Sequence, residues 1–425
     1  VYQRVLKLRR SHNDKVGIAQ ALNKLGEVYY WMSKGDKALE VLQEALGIRR
    51  EIKDKSGEGE TLDNIGLAYF RLNQNEKALE ILQQALVIRK QLKNKAGEGK
   101  TLSNIGLIYL SLEKNPQALE NLQQALAIHQ QVGDKFQKGI TLQRLGGVYL
   151  ERKDYPRALE FYQKAVTVNQ KVGNPVAKAY ALRAIGSIYF KQEKYSLAVE
   201  NFKQALPIFQ QVGISSIELN ILNLIGNSYF SQKEYDQALK SYQQALPIAQ
   251  KLNYMLQKLE IINSIGDSYY LQKKYERALE HYQRALYTAQ FIGTLNDSTG
   301  EYRKAIPFAE QALKLAKKTK DSQAEANALL TLASSYSSLA FTAEEYQKSM
   351  GFAQQALKIA QNIKNKELEA EALNEIADIY DDLNEYQKAI ETAKASLKLA
   401  EEIKDTAKIM QAKLTLAITY LNLGE

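Results

Sequence analysis

The chain has 425 residues, with 57 lysines and arginines, 48 aspartates and glutamates, 3 histidines and no cysteine. It is 45% hydrophobic and 25% charged, which is typical of a globular protein and excludes disordered and collagen-like classes. The lack of cysteine excludes disulfide scaffolds, thiolate zinc sites and cysteine nucleophiles. No apolar run reaches the roughly 18 residues of a membrane span, and the first ten residues do not resemble a signal peptide, so we expect a cytoplasmic protein without membrane contact.

A short signature recurs seven times at a fixed spacing of 40 residues within residues 14–293. It reads Leu/Ile-x-x-Leu/Ile-Gly-x-x-Tyr and begins for the first time at Leu22. Its tyrosine is found at Tyr29, Tyr69, Tyr109, Tyr149, Tyr189, Tyr229 and Tyr269. A pair of alanines runs in step with it, beginning at Ala38 and Ala45. Such self-similarity indicates a repeat architecture.

Each repeat contains two segments with apolar residues at helical spacing, and neither alternates with period two. We name them helix A, around Leu62 to Arg71 in the second repeat, and helix B, around Glu76 to Lys90. Helix B ends at a glycine followed by a capping residue, as in Gly133 and Asp134. The signature glycine predicts close approach of a neighbouring helix. One helix pair cannot bury its apolar face alone, so the sequence predicts an all-α, right-handed α-solenoid of stacked helix pairs.

The repeats are interrupted in two places. Residues 1–13 match a helix B alone, and after the seventh repeat the register slips by thirteen residues, about the length of a helix A. A segment absent from the sequence explains the slip better than a true deletion, since an unpaired helix B would expose apolar surface. We therefore divide the chain into a partial repeat at 1–13, seven repeats at 14–293, and a second section at 294–425 with about two full repeats and half repeats at both ends. Charge changes there too: residues 1–300 are net basic and residues 301–425 net acidic.

The signature, with the alanine nine residues after its tyrosine, resembles the tetratricopeptide repeat (TPR) over nearly the whole chain. Two features differ from that family: the period is 40 rather than 34, and the family's Trp and terminal Pro are absent. The longer period is similar to that of kinesin light chain and of bacterial arrays joined to caspase-like CHAT proteases. The resemblance implies a scaffold that binds a protein or peptide in a concave groove.

Other motifs are weak. Residues Gly97–Thr101 match only the end of a phosphate-binding loop, because Asn94 replaces the required glycine and a helix replaces the strand. His12, His129 and His281 lie in distant repeats, so we interpret them as solvated surface residues and expect no metal site. No cofactor is predicted, and no catalytic set is proposed.

Nucleic acid is a disfavoured partner. Lysines and arginines concentrate late in helix B, at Arg49, Arg50, Arg89 and Lys90, and we interpret them as a solvated outer face. The helix A positions two residues before the signature leucine are mixed in charge rather than basic.

Two rows on helix A are the candidate partner-binding groove. A polar row follows the signature leucine, and we expect it, with two further side chains, to hydrogen-bond a peptide backbone, as asparagine rows do in relatives; its candidates are Asn23, Asp63, Gln143, Arg183, Asn223, Asn263, Asn227 and Asp267. An apolar row follows the signature tyrosine at the edge between groove and core, and its candidates are Tyr30, Phe70, Phe190, Phe230 and Tyr270. For the apolar row, packing between repeats is the alternative.

We therefore predict a non-catalytic scaffold that grips a polypeptide. The alternative is the regulatory or sensing arm of a larger enzyme, such as a TPR–CHAT protease, whose catalytic domain would follow residue 425. The oligomeric state is not predicted.

Overall fold

The computed structural model describes residues 2–296, 299–340 and 342–424, and every regular element in these ranges is an α-helix. The prediction of an all-α fold is confirmed. The chain divides into two compact units, Val1–Gly213 and Ile214–Glu425. The first unit contains α1 (Tyr2–Ser11), α2 (Lys15–Trp31), α3 (Gly35–Glu51), α4 (Lys55–Arg71), α5 (Asn75–Gln91), α6 (Lys95–Ser111), α7 (Asn115–Gln131), α8 (Lys135–Glu151), α9 (Tyr155–Lys171), α10 (Pro175–Lys191) and α11 (Tyr195–Gln211). The second contains α12 (Ser215–Ser231), α13 (Tyr235–Lys251), α14 (Met255–Leu271), α15 (Tyr275–Asn296), α16 (Thr299–Thr319), α17 (Ser322–Ser337), α18 (Ala343–Asn362), α19 (Lys366–Asp382), α20 (Tyr386–Glu402) and α21 (Thr406–Leu423).

Helices A and B alternate from α1 to α15 and again from α16 to α21. In the first unit the even-numbered helices are A helices and the odd-numbered ones are B helices, and α1 packs as a B helix against α2. In the second unit α12, α14, α17, α19 and α21 carry the helix A pattern. The break in register falls at α15, which is 22 residues long, and α16 packs against both α15 and α17. Residues 297 and 298, near the expected gap, lie outside the described residues.

The boundary between the compact units differs from the predicted section boundary. It follows Gly213, between the fifth and sixth repeats, whereas the changes in register and charge placed a boundary at residue 293. Charge and register describe the surface and the repeat count, but a compact unit is defined by which helices pack together.

Most A helices begin after a left-handed residue and a side-chain cap, whereas α12 and α14 have the left-handed residue without the cap. Asp54 Oδ1 accepts a hydrogen bond from the Gly57 N–H at 2.9 Å, and the residue before it, Lys53, has φ of 56°. Asn94 caps Gly97 in the same way, so Gly97–Thr101 is the first turn of a helix, as predicted. The helix stop at Gly133 is confirmed, with φ of 73°. Most described B helices, however, are followed by lysine or asparagine at this left-handed position, as at Lys53 and Asn253.

Removing the cap of α8 is expected to lower the free energy of unfolding by about 1 kcal/mol. Asp134 Oδ1 accepts a hydrogen bond from the Gln137 N–H at 2.9 Å, and Asp134→Ala leaves that donor without its partner. Lys114→Ala is the matched control, because Lys114 holds the same place before α7 without a side-chain cap and should change stability by less than about 0.5 kcal/mol. Urea unfolding followed by circular dichroism measures both. Equal losses in the two variants would contradict the role of the cap.

Helices A and B of one repeat meet at the signature glycine. A methyl group on Gly66 would lie 2.6 Å from Leu82 Cγ, and one on Gly186 would lie 2.7 Å from Phe202 Cε1. Leu82 and Phe202 are both fully buried. The predicted role of the glycine, which is to allow close approach of helix B, is confirmed.

The A helices form the more closely packed layer. In the first unit α2, α4, α6, α8 and α10 contact one another in sequence, and no comparable contact joins successive B helices among its described residues. In the second unit α17, α19 and α21 contact one another in the same way. Because the closer layer of a curved two-layer array lies on the inside, the A helices form the concave face of these stretches.

Candidate partner-binding site on the A helices

The polar row begins inside the protein rather than on its surface. Asn23 is 2% exposed, and Asp63 and Ser103 are fully buried. Asn64 Nδ2 donates to Asn23 Oδ1 at 3.1 Å, and Thr101 Oγ1 donates to Asp63 Oδ1 at 2.7 Å. Burial raises the pKa of Asp63 above its usual range. The assignment of Asn23 and Asp63 as groove contacts is therefore corrected. Both side chains are buried and accept hydrogen bonds from polar side chains of the next A helix.

From the fourth repeat onward the row is half-buried. Gln143 Nε2 donates to the Ala177 carbonyl, and the Arg183 guanidinium lies over the Tyr180 ring at 5.9 Å. Asn223 is half-buried, and so is Asn263. Asn263 Nδ2 donates to Asp267 Oδ2 at 3.1 Å, whereas its Oδ1 has no partner among the described residues.

The two additional candidates, Asn227 and Asp267, join helix A to helix B of the same repeat. The Tyr242 hydroxyl donates to Asn227 Oδ1 at 2.7 Å, and the Tyr282 hydroxyl donates to Asp267 Oδ1 at 2.6 Å. Burial raises the pKa of Asp267, and burial followed by the neighbouring Asp267 carboxylate raises the pKa of Tyr282. These two positions hold the tyrosine hydroxyls and retain only part of their capacity for a partner.

The apolar row is half-buried throughout, as expected for residues between groove and core. Phe70 packs against the cluster that contains Leu82 and Ile108, so it contributes to packing between repeats. Tyr30 meets the ring of Trp31 edge-on at 5.2 Å. Three members of the row each lie 5.6 Å from the tyrosine that opens the following B helix, in the pairs Phe190–Tyr195, Phe230–Tyr235 and Tyr270–Tyr275.

Sequence reasoning missed a third row on the A helices, two residues after the signature leucine. Asn64 and Arg144 donate side-chain hydrogen bonds to the preceding A helix, and Asn104 accepts the one from Arg144. The sequence contained a signal for this row. Its first four members, Lys24, Asn64, Asn104 and Arg144, are polar, whereas the next two, Ala184 and Leu224, are apolar.

A second correction concerns the charged end of helix B. Arg50 and Lys90 are exposed as predicted, but Arg49 and Arg89 are only 4% and 5% exposed. His129, interpreted from the sequence as a surface residue, is fully buried, and burial lowers its pKa. All three occupy one position of the 40-residue repeat, which faces helix A.

Glycines on helix A make room for these side chains. A methyl group on Gly57 would lie 2.4 Å from the Arg49 guanidinium, and one on Gly99 would lie 2.8 Å from His129 Cε1. Further along the chain the relative sizes reverse. The helix B residue equivalent to Arg49 is the small Ala249, and the helix A residue equivalent to Gly99 is the larger Leu219. The glycines that resembled a phosphate-binding loop thus have a packing role.

Several carboxylates lie close together on the A helix α19. Glu375 has no hydrogen-bond or ion-pair partner among the described residues, and burial, then Asp378 and Glu371, raises its pKa to about 8. Burial raises the pKa of Asp378 to about 6, although it accepts a hydrogen bond from Asn374 Nδ2 at 3.0 Å. In the described ranges no group of three or more His, Asp or Glu side chains could hold a metal ion. Each helix in those ranges is too short or too polar to cross a membrane.

Stacked helix pairs, joined by hydrogen bonds between successive A helices, define an α-solenoid class of repeat protein. Tetratricopeptide repeat models match most of the chain, at residues 17–91, 97–171, 140–211, 217–290, 288–319 and 370–403. The chain belongs to the tetratricopeptide repeat family.

Solved structures are similar in fold. The C-terminal part of a TPR repeat-containing protein from Cytophaga hutchinsonii is 15% identical with a TM-score of 0.50, covering 67% of this chain and 98% of that one. BtubC from P. vanneervenii is 18% identical with a TM-score of 0.42, covering 50% and 89%. A signal-transduction ATPase with a TPR sensor from Pyrococcus horikoshii is 17% identical with a TM-score of 0.45, covering 89% and 55%. No curated protein matches the chain significantly.

Proposed function

We propose that this chain is a non-catalytic scaffold that binds an extended segment of a partner protein along its A-helix face. TPR membership supports the general role, because a helix pair repeated along the chain presents a long continuous surface. The observation that carries the proposal is the half-buried amide row beside half-buried aromatic rings. Asn223 and Phe230, like Asn263 and Tyr270 in the next repeat, are half-buried and lie seven residues apart, two turns along the same A helix.

This combination suits an extended peptide. Amide side chains both donate and accept hydrogen bonds, so they can pair with successive backbone groups of a partner without regard to its sequence. Aromatic rings add apolar contact area, which supplies most of the affinity in typical interfaces. No observation on this chain favours the alternative of a regulatory arm on a larger enzyme, and the cytoplasmic location remains a prediction.

Asn223→Ala combined with Asn263→Ala is expected to weaken partner binding at least about tenfold, because each lost hydrogen bond in a desolvated groove costs about 1 kcal/mol. The partner is first captured by crosslinking pull-down with the intact chain, and its affinity is then measured with purified proteins. Gln243→Ala combined with Gln244→Ala, on the exposed face of α13, is the matched control. Wild-type affinity in the asparagine double variant, with unchanged helicity, would refute the groove assignment.

A further inference from the structure

Arg144 is a charged side chain whose protein partners are all neutral. It lies on α8, and its Nη1 donates to Ser103 Oγ at 2.8 Å and to Asn104 Oδ1 at 3.1 Å, both on α6. No carboxylate pairs with it among the described residues. Burial lowers its pKa to about 10, which reflects the cost of a charge removed from water without a counter-ion.

Other arginines of the first unit show what Arg144 lacks. The buried Arg49 pairs with Asp54, and the buried Arg89 lies 3.5 Å from Asp63 Oδ2. The array therefore supplies a carboxylate where an arginine has only a packing role. Arg144 departs from this pattern, and it stands on the A-helix face rather than between helices A and B.

The N–H groups of Arg144 that have no protein partner are arranged to bind a carboxylate. Both of its protein contacts use Nη1, so the N–H groups of Nε and Nη2 keep the forked arrangement that binds a carboxylate through two parallel hydrogen bonds. Asn104 is 3% exposed, and its Nδ2 is buried without a partner while its Oδ1 contacts Arg144. A buried, unsatisfied donor beside a guanidinium fits an anionic acceptor.

A second unpaired guanidinium lies on the next A helix. Arg183 on α10 has a buried Nε without a partner and pairs with no carboxylate among the described residues. α8 and α10 contact each other, and Gln143 links them through the Ala177 carbonyl. The two arginines thus lie on neighbouring A helices of the first unit.

We infer that this face binds side-chain carboxylates of an acidic partner segment, one at Arg144 with Asn104 beside it and another at Arg183. The inference rests on the proposed function and specifies the partner's chemistry. A peptide is favoured over nucleic acid because the A helices of the first two repeats also carry Glu27 and Glu60, which would repel a continuous phosphate backbone. A segment that passes through is favoured over a chain terminus, because Arg144 and Arg183 lie on successive A helices and a terminus offers its main-chain carboxylate to only one of them.

The test measures binding of fluorescein-labelled peptides to the 425-residue chain by anisotropy. The probes are an alternating Glu-Ala decapeptide with an amidated C-terminus and the matching Gln-Ala peptide. The Glu-Ala peptide should bind at least about tenfold tighter, because a bidentate charge-assisted pair exceeds a neutral hydrogen bond. Arg144→Gln should remove most of that difference, and Arg144→Lys should restore only part of it, since lysine lacks the planar fork.

Arg152→Gln is the matched control, because it removes the same charge from an exposed turn after α8 and should leave the preference intact. Arg183→Gln should reduce the preference severalfold and provides a second test if Arg144→Gln fails to fold. Equal affinity for the two peptides would overturn the inference and leave peptide binding itself supported. It would also be overturned if Arg144→Gln and Arg152→Gln reduced the preference equally. The same holds if binding required a peptide with a free C-terminal carboxylate, or if single-stranded oligoadenylate displaced the bound peptide. Binding of neither peptide would overturn it too, while the pull-down decides the proposed function separately.

Discussion

Replacing Glu375 by glutamine is expected to raise the free energy of unfolding around α19 by about 3 kcal/mol at pH 8, and this gain should disappear near pH 5. Burial beside Asp378 and Glu371 raises the pKa of Glu375 to about 8, from the usual 4.5 of a glutamate. Because the folded state holds this proton more tightly than the unfolded chain, stability is greatest at low pH and falls as pH rises from about 5 to 8. The expected gain is smaller than the full pKa shift implies, because the Glu375 side chain is partly exposed to solvent.

Wild-type protein should accordingly become more stable in this region on acidification from pH 8 to pH 6, with Asp378, whose pKa is raised to about 6, adding to the effect. Hydrogen exchange read over residues 366–423 at several pH values measures it locally. Glu391→Gln, an exposed change on α20, should leave the pH dependence unaltered. A wild-type protein that loses protection of α19 between pH 8 and pH 6 would contradict the sign of the effect.

Gly226→Ala is expected to destabilise the second unit by about 2 kcal/mol, although alanine normally favours a helix over glycine. The added methyl group would lie 2.4 Å from Cε1 of Tyr242. That ring is 1% exposed, and its hydroxyl donates to Asn227 Oδ1, so it cannot move aside without losing a hydrogen bond. The two helices of the repeat would have to separate.

Gly351→Ala is the matched control within the same unit, because no atom lies within 4 Å of its added methyl group. This variant should be more stable than wild type by about 0.5–1 kcal/mol, through reduced backbone entropy of the unfolded chain. Thermal unfolding by circular dichroism compares the two. Stabilisation by both substitutions would show that the signature glycine is not required for close approach.

Periodicity was sufficient to predict the helices, their order and the role of the signature glycine. A leucine, glycine and tyrosine returning every 40 residues constrain the repeat so strongly that its two helices follow from spacing alone. The same periodicity identified the row of Asn223 and Asn263, which the structure leaves half-buried on the A helices.

Side-chain environments along a row could not be predicted in this way. Asn23 and Asn223 occupy the same repeat position, yet Asn23 is buried by its contact with Asn64, whereas the equivalent of Asn64 after Asn223 is Ser264, whose shorter side chain donates to the Glu260 carbonyl of its own helix. Burial at one position therefore depends on a residue 41 positions away in the chain. A helical wheel drawn for one repeat does not contain that information.

What the sequence determined by itself is the repeated helix pair, because apolar spacing, caps and glycines act within about 40 residues of one another. Only the tertiary structure decided which polar residues are used up between repeats and which remain free for a partner. His129, Arg89 and Arg144 are all basic or titratable side chains, but the first fills a slot over Gly99, the second meets Asp63, and the third is left without a counter-ion. The physical reason is that the energy of a buried polar group depends on the atoms that surround it, and neighbouring helices supply those atoms.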